Sequence, residues 1–306
     1  MHPIAFRIGP LAIHWYGIMM AAAFLLGLAV MIRLARGRGW ESAMASDLLC
    51  WVMVSGVIGA RLAHVGANWR EYWRDPISIL YLQRGGLVFY GGFVGAAIGV
   101  ALFARIRRLP TLEVCDFMVT VLPLGHALGR IGCFMNGCCH GIPAPAPYGV
   151  RFPWDSPAGW AQYLRGVVPY EAVTGLMRAL RHSEITLAQF QAKLSAMLAR
   201  GDLPPAAARA MPVLPVQLYE AAFNLALFAA LVVYFRRKPR AGSVGALYLV
   251  TYPVARFILE LLRGDERLRV LGLTVAQAGS VALFTAGIVG WWSISRRARS
   301  DVHRSA

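Results

Sequence analysis

Charge is scarce in this chain, and acidic charge scarcest. Asp and Glu number 15 against 31 Lys and Arg, and only 15% of the 306 residues are charged. A soluble domain carries about a quarter. With 58% hydrophobic residues and a mean hydropathy of +0.53, the composition excludes an ordinary soluble fold and leaves a polytopic membrane protein. The net charge of +16 does not mark nucleic-acid binding, because the arginines stand at the ends of apolar runs. Five cysteines are too few for a disulfide framework. Cys50 and Cys115, within or beside apolar runs, read as small hydrophobes. There is no internal repeat and no low-complexity tail.

What the chain does have is apolar length. Stretches of about 20 apolar residues can cross a bilayer, and seven occur, at 11–32, 46–66, 87–104, 114–135, 214–235, 243–262 and 272–292. The first is too long for a cleavable leader and lacks a small-residue cleavage site, so it reads as a retained span. Arg33, Arg36 and Arg38 follow the first stretch, and Arg105, Arg107 and Arg108 the third. Arg236, Arg237, Lys238 and Arg240 follow the fifth, and Arg296, Arg297, Arg299 and Arg304 the seventh. Every odd-numbered span thus ends in positive charge. This predicts an all-α protein of seven transmembrane helices with its N-terminus outside and its C-terminus cytoplasmic.

The whole chain, 1–306, reads as a single membrane domain, with 137–213 as an external insertion between helices four and five. The insertion opens on "GIPAPAPYG", which is loop punctuation. Further on, "TLAQFQAKLSAMLARG" predicts a surface helix. Thr186 and Gln189 have capping-box spacing, Leu187, Phe190, Leu194, Met197 and Leu198 share a face, and Gly201 is a stop. In the third span Gly91, Gly95 and Gly99 recur every four residues beside Gly92, which lets a neighbouring helix come close.

Ionisable residues within a membrane need a partner or a task. Arg61 lies in span two, Arg130 near the outer end of span four, Glu220 near that of span five, and Arg256, Glu260 and Arg263 on one face of span six. Four arginines against two carboxylates predict a cationic interior that wants an anion, such as a phospholipid phosphate gripped by arginine forks.

The segment "GRIGCFMNGCCHG", 129–141, holds Arg130, Asn136, three cysteines and His140 between glycines. Zinc fits its spacing poorly. No C-x2-C pair occurs, and Cys138, Cys139 and His140 are consecutive, so their side chains are expected to diverge. A disulfide between nearby cysteines, or simple packing in a tight turn, are the other readings, and no metal is expected.

"FRIGPLAIHWYGIM", "LVFYGG", "GRIGCFMNG" with Gly141, "PVQLYE" and "RFILELLR" follow one another in an order that resembles the bacterial prolipoprotein diacylglyceryl transferase family. The resemblance covers nearly the whole chain and weakens between about 142 and 212. It implies a multi-pass enzyme of the bacterial inner (cytoplasmic) membrane with its active site toward the outer, periplasmic face. Such an enzyme moves the diacylglyceryl group of phosphatidylglycerol to the lipobox cysteine thiol of a prolipoprotein signal peptide and releases glycerol phosphate, without metal or soluble cofactor. By this resemblance Arg130 clamps the phosphate, and Arg256 stabilises the leaving group or the thiolate. Asn136, Gly141, Glu220, Glu260 and Arg263 belong to the lipid-binding set, as does Tyr16 of "HWYG".

This chain departs from the family at three points. Tyr90 stands where many members carry a histidine before paired glycines, often proposed as the thiol's base. A phenol with a pKa near 10 is a poor base at neutral pH, so Arg256 with Tyr90 is expected to stabilise the thiolate, with His140 the rival base. Cys133 and Cys138 stand where the family often has Asn and Glu. Two other functions use the same residues: a membrane thiol-redox protein built on Cys133, Cys138 and Cys139, and a phospholipid or anion transporter built on the arginines.

Overall fold

The computed structural model describes residues 3–9, 11–82, 85–145, 147–265, 267–270 and 272–305. The side chains of residues 89, 270 and 297–305 lie outside it, among them Arg297, Arg299 and Arg304 of the last basic cluster. The fold is mainly helical and that of a polytopic membrane protein. Among the described residues, six helices are long and apolar enough to cross a bilayer: α1 (Trp15–Gly37), α2 (Ser42–Ala67), α5 (Thr111–Asn136), α9 (Val216–Arg236), α10 (Ser243–Leu261) and α11 (Val275–Ser305) over its part Val275–Arg296. Helix α3 (Trp69–Tyr72) is a single turn. Helix α4 (Phe89–Ile106), where the third span is expected, is apolar but shorter.

Two helix starts differ from expectation for the same reason. The first span was expected from residue 11, but Leu11–His14 (β2) pairs antiparallel with Ile4–Ile8 (β1), so the helix begins at Trp15. The last was expected from 272, but Leu273–Thr274 (β4) pairs with Arg269–Val270 (β3) after Gly272 at φ 83°. Apolar strands at the edge of an apolar helix carry no compositional boundary.

The chain divides into two compact units. The first comprises Met1–Ala23, Leu124–Ala226 and Thr251–Thr285, and the second Phe24–Pro123, Leu227–Val250 and Ala286–Ala306. In the second, α2 and α4 lie backbone to backbone at the expected glycines. A Cβ on Gly59 would sit 2.8 Å from the Gly95 Cα, and one on Gly91 would meet Ala63. Asp116 of α5 is buried and accepts the N–H groups of Gly242 and Gly245, each at 2.7 Å, capping the start of α10. Arg61 is also buried here. Its guanidinium donates to the carbonyls of Ser78 (2.7 Å), Ile79 (2.8 Å), Gly85 (2.8 Å) and Gly86 (3.1 Å), and it stacks over the Tyr72 ring. Arg61 was expected to add to a cationic anion site. It instead folds the loop between α2 and α4, because main-chain carbonyls take four of its five N–H donors.

In the first unit, residues 137–213 hold helices α6 (Pro157–Leu164), α7 (Glu171–Arg181) and α8 (Leu187–Arg200). Their core is Trp154, Val173, Met177, Phe190 and Leu194, with Trp154 Nε1 donating to the Ala207 carbonyl at 2.7 Å. Helix α8 begins with both hydrogen bonds of the Thr186–Gln189 capping box and stops at Gly201, φ 80°.

Candidate active site

The candidate residues of the first unit gather where three sequence-distant segments are sewn together by main-chain hydrogen bonds. Helix α5 ends at Asn136, and Gly137 turns the chain at φ 75°. The Gly141 N–H then donates to the Leu214 carbonyl, just before α9, at 2.9 Å. The Ile142 N–H reaches the Leu262 carbonyl at 2.9 Å, and the Gly264 N–H the His140 carbonyl at 3.0 Å. Gly141, paired with Arg263 as an isolated bridge, has no room for a side chain: a Cβ there would lie 2.6 Å from Val216. Its place is in the scaffold of the junction. The side chain of Gln217 adds a bond from Nε2 to the Cys138 carbonyl at 2.7 Å.

Charged side chains line up on this frame. Arg130 Nε lies 3.0 Å from Glu220 Oε2. Glu220 sits in the first turns of α9 and is almost fully buried, whereas the Arg130 side chain keeps 20% exposure. Among the described residues neither terminal nitrogen of Arg130 has a protein partner. On α10, Arg256 Nη1 and Glu260 Oε2 are 2.7 Å apart, one helical turn from each other. Their close approach lacks hydrogen-bond alignment, so both Glu260 oxygens and Arg256 Nη1 are buried without a hydrogen-bond partner. Arg263 stands 3.9 Å from Glu260 and makes a two-pronged pair with Asp265, at 2.9 and 2.8 Å, which Arg267 joins at 2.9 Å. Burial would raise the Asp265 carboxyl, but its Arg263 bonds and the Arg267 charge hold it below the usual range.

This corrects the expected charge balance. Arg61 belongs to a carbonyl cage in the second unit, and Asp265, absent from the expected set, faces Arg263. Arg130, Arg256 and Arg263 therefore each have a carboxylate. What remains open is not net charge but the unused donors of Arg130 and Arg256.

Tyr16, at the start of α1, packs on α5: a Cβ on Gly132 would lie 3.0 Å from its ring. Asn136 is the last, half-buried residue of α5. Tyr90 belongs to the second unit. It is 55% exposed and lines an apolar groove of about 940 Å³ along α2 and α4, with Ile58, Leu62, Val94 and Ile98. His140 is buried, with Nδ1 3.0 Å from the Gly141 carbonyl.

The sequence reading missed His126. It lies one turn before Arg130 on α5, its ring 5.2 Å from that of Tyr252, and its Nδ1 is buried without a partner. The spacing His126-x3-Arg130 was the available signal, since it puts both on one helical face.

The cysteines also depart from expectation. Cys133, Cys138 and Cys139 are free thiols whose sulfurs converge, where divergence was expected of consecutive residues. The reason is Cys139, which takes a left-handed backbone at φ 61°. Hydrogen bonds from the Cys133 and Cys138 thiols, with Arg263 nearby, hold the Cys139 thiol well below the usual range, against the burial that would raise it.

Comparison with known proteins gives a consistent picture. A family model described as prolipoprotein diacylglyceryl transferase matches residues 3–293. The phosphatidylglycerol–prolipoprotein diacylglyceryl transferase of Parasynechococcus marenigrum is 31% identical over 308 residues, covering 96% of this chain and 94% of that protein. The protein of the same description from Paraburkholderia phymatum is 31% identical over 315 residues, 97% of this chain and 95% of its own. That from Burkholderia thailandensis is 33% identical over 302 residues, 94% and 92% of the two chains.

Proposed function

The chain belongs to the prolipoprotein diacylglyceryl transferase family, and we propose on that premise that it transfers the diacylglyceryl group of phosphatidylglycerol to a prolipoprotein cysteine thiol. The bond between the glyceryl carbon and the phosphate oxygen breaks, a carbon–sulfur bond forms, and glycerol phosphate leaves with the thiol proton. The observation that carries this reading is Arg130, anchored by Glu220 through Nε and presenting unused terminal N–H donors. That fork suits two phosphate oxygens, and it opposes the negative charge that grows on the leaving phosphate. Arg256, with its unaligned Nη1, serves the incoming thiolate or the same phosphate, and Glu260 holds it in place. Arg263 acts through the junction with Gly141, and Tyr16 and Asn136 border the headgroup.

The thiol proton passes to the leaving glycerol phosphate by way of His126. Its unpartnered Nδ1 stands one turn from the phosphate clamp.

The chain crosses the bacterial inner membrane seven times, with α4 as the short third crossing. Basic clusters at the ends of α1, α4, α9 and α11 support a cytoplasmic C-terminus. Residues 137–213 then form an outer-face subdomain, and the active site faces the periplasm. Lys193 of α8 and Lys238, both exposed, are the chain's two lysines. A membrane-impermeant amine reagent on spheroplasts should label Lys193 and spare Lys238, and the reverse pattern would invert the topology.

The chemistry is tested with purified protein, phosphatidylglycerol and a peptide bearing a lipobox cysteine, following peptide mass and glycerol phosphate together. Wild type should add diacylglyceryl and release glycerol phosphate in equal amounts. Arg130→Lys keeps the charge but loses the fork, and should lower turnover by about 100-fold. Lipid binding without either product would mean that these arginines serve binding or transport alone.

A further inference from the structure

The transfer chemistry leaves three half-buried thiols unused. The sulfurs of Cys133, Cys138 and Cys139 all lie within 4.8 Å of one another. Three thiolates around one ion, at metal–sulfur distances of about 2.3 Å, place their sulfurs about 4 Å apart, so little movement separates this arrangement from a coordination site.

The convergence is built into the backbone. Cys133 rides the last turn of α5, and the chain then reverses through Gly137 (φ 75°) and Cys139 (φ 61°). A left-handed backbone at a non-glycine residue is unfavourable and persists only where its surroundings impose it. Here they do. The Cys138 N–H donates to the Cys133 carbonyl at 3.2 Å, Gln217 holds the Cys138 carbonyl, and Gly264 holds the His140 carbonyl. The thiols are thus presented from a turn fixed on three sides. His140 stays outside the sulfur group, its Nδ1 against the Gly141 carbonyl, so a fourth coordination position is left open.

We propose that Cys133, Cys138 and Cys139 form a three-thiolate site for a soft, thiophilic d10 metal ion of the zinc class. Thiolate softness selects such ions over the hard cations that carboxylates hold. With a divalent ion bound, the centre carries a net charge of −1, since three thiolates carry −3 against +2. Arg263, beside Cys139, offsets part of that charge. The site does not depend on the transferase reading, and its test needs no turnover.

The full-length chain in detergent, reduced and then freed of reductant without air, is titrated with Cd2+ and with Zn2+. We expect one ion per chain and an ultraviolet thiolate-to-cadmium charge-transfer band. Three of the five thiols should be protected from alkylation and mapped by mass spectrometry to Cys133, Cys138 and Cys139. Cys138→Ser and Cys139→Ser should each weaken binding by roughly 100-fold, the upper end of what even an outer-shell partner contributes, while Cys50→Ser and Cys115→Ser leave it unchanged. Absence of saturable binding by folded wild-type protein overturns the proposal, as does binding that survives Cys139→Ser. A disulfide among the three cysteines in protein isolated with thiols blocked and no reductant overturns it in favour of redox chemistry.

Discussion

In the second unit the guanidinium of Arg61 donates to four main-chain carbonyls, whereas in the first unit Arg130 meets one carboxylate through Nε and leaves its terminal donors unused. Both sit in apolar helices, and both look equally anomalous in sequence. The difference is in what remains after the protein has satisfied each group. Arg61 has spent four of its five N–H donors on folding a loop, so its removal should be felt as lost stability. Arg130 is held by one edge with the other available, so its removal should be felt chiefly as lost chemistry. An arginine within a membrane therefore marks function only when its hydrogen-bonding capacity exceeds what the fold consumes.

The sharpest way to break that contrast is to separate stability from turnover at Arg130. Arg130→Ala should lower diacylglyceryl transfer by about 1,000-fold. It should also destabilise the protein by about 3 kcal/mol, because Glu220 is left buried and unpaired. Adding Glu220→Gln should restore most of the thermal stability in detergent and none of the turnover. Recovery of both would make the pair structural, like Arg61.

His126 extends the comparison to a neutral group. His126→Gln should cut kcat by about 100-fold with little change in the KM for lipid. Tyr90→Phe is the matching control and should keep turnover within about three-fold of wild type. The opposite ranking would place the proton transfer at Tyr90 and remove His126 from it.

Arg61→Met reverses the Arg130 pattern. Stranding the carbonyls of Ser78, Ile79, Gly85 and Gly86 should lower stability by about 3 kcal/mol, read as an earlier unfolding transition. Turnover per folded molecule should stay within about two-fold of wild type.

The smallest effect belongs to Asp265. Its folded-state pKa is depressed by Arg263, so the pair contributes stability above the unfolded carboxylate pKa and loses it as pH falls through the lower folded value. Asp265→Asn should therefore cost about 1 kcal/mol at pH 7. The gap between variant and wild type should close below about pH 4. A gap that persists at low pH would assign the loss to packing rather than charge.

The sequence makes some of these features legible and hides others for identifiable reasons. Length and apolar composition reveal the long helices, because crossing a bilayer demands both. The capping box of α8 is local, so Thr186, Gln189 and Gly201 announce it fully. The Arg130–Glu220 pair joins residues 90 positions apart in numbering and is visible only through family resemblance. The cage around Arg61 leaves no trace, since carbonyls have no letter in a sequence. Asp265 falls just past an apolar run, and His126 lies within one, so neither stands out by composition. The thiol convergence depends on one left-handed residue, Cys139, and side-chain type alone does not forecast that.

The bonds from Gly242 and Gly245 to Asp116 span 126 and 129 positions of chain. At a synthesis rate of about 5–20 residues per second, the carboxylate emerges from the ribosome roughly 6–25 s before its donors do. Throughout that interval an acidic group is committed to an apolar segment with its native partners not yet made. The early intermediate must keep Asp116 hydrated, protonated or borrowed by another donor. The first half of this protein is thus a biosynthetic state with its own requirements, and the insertion machinery, rather than the finished fold, has to meet them.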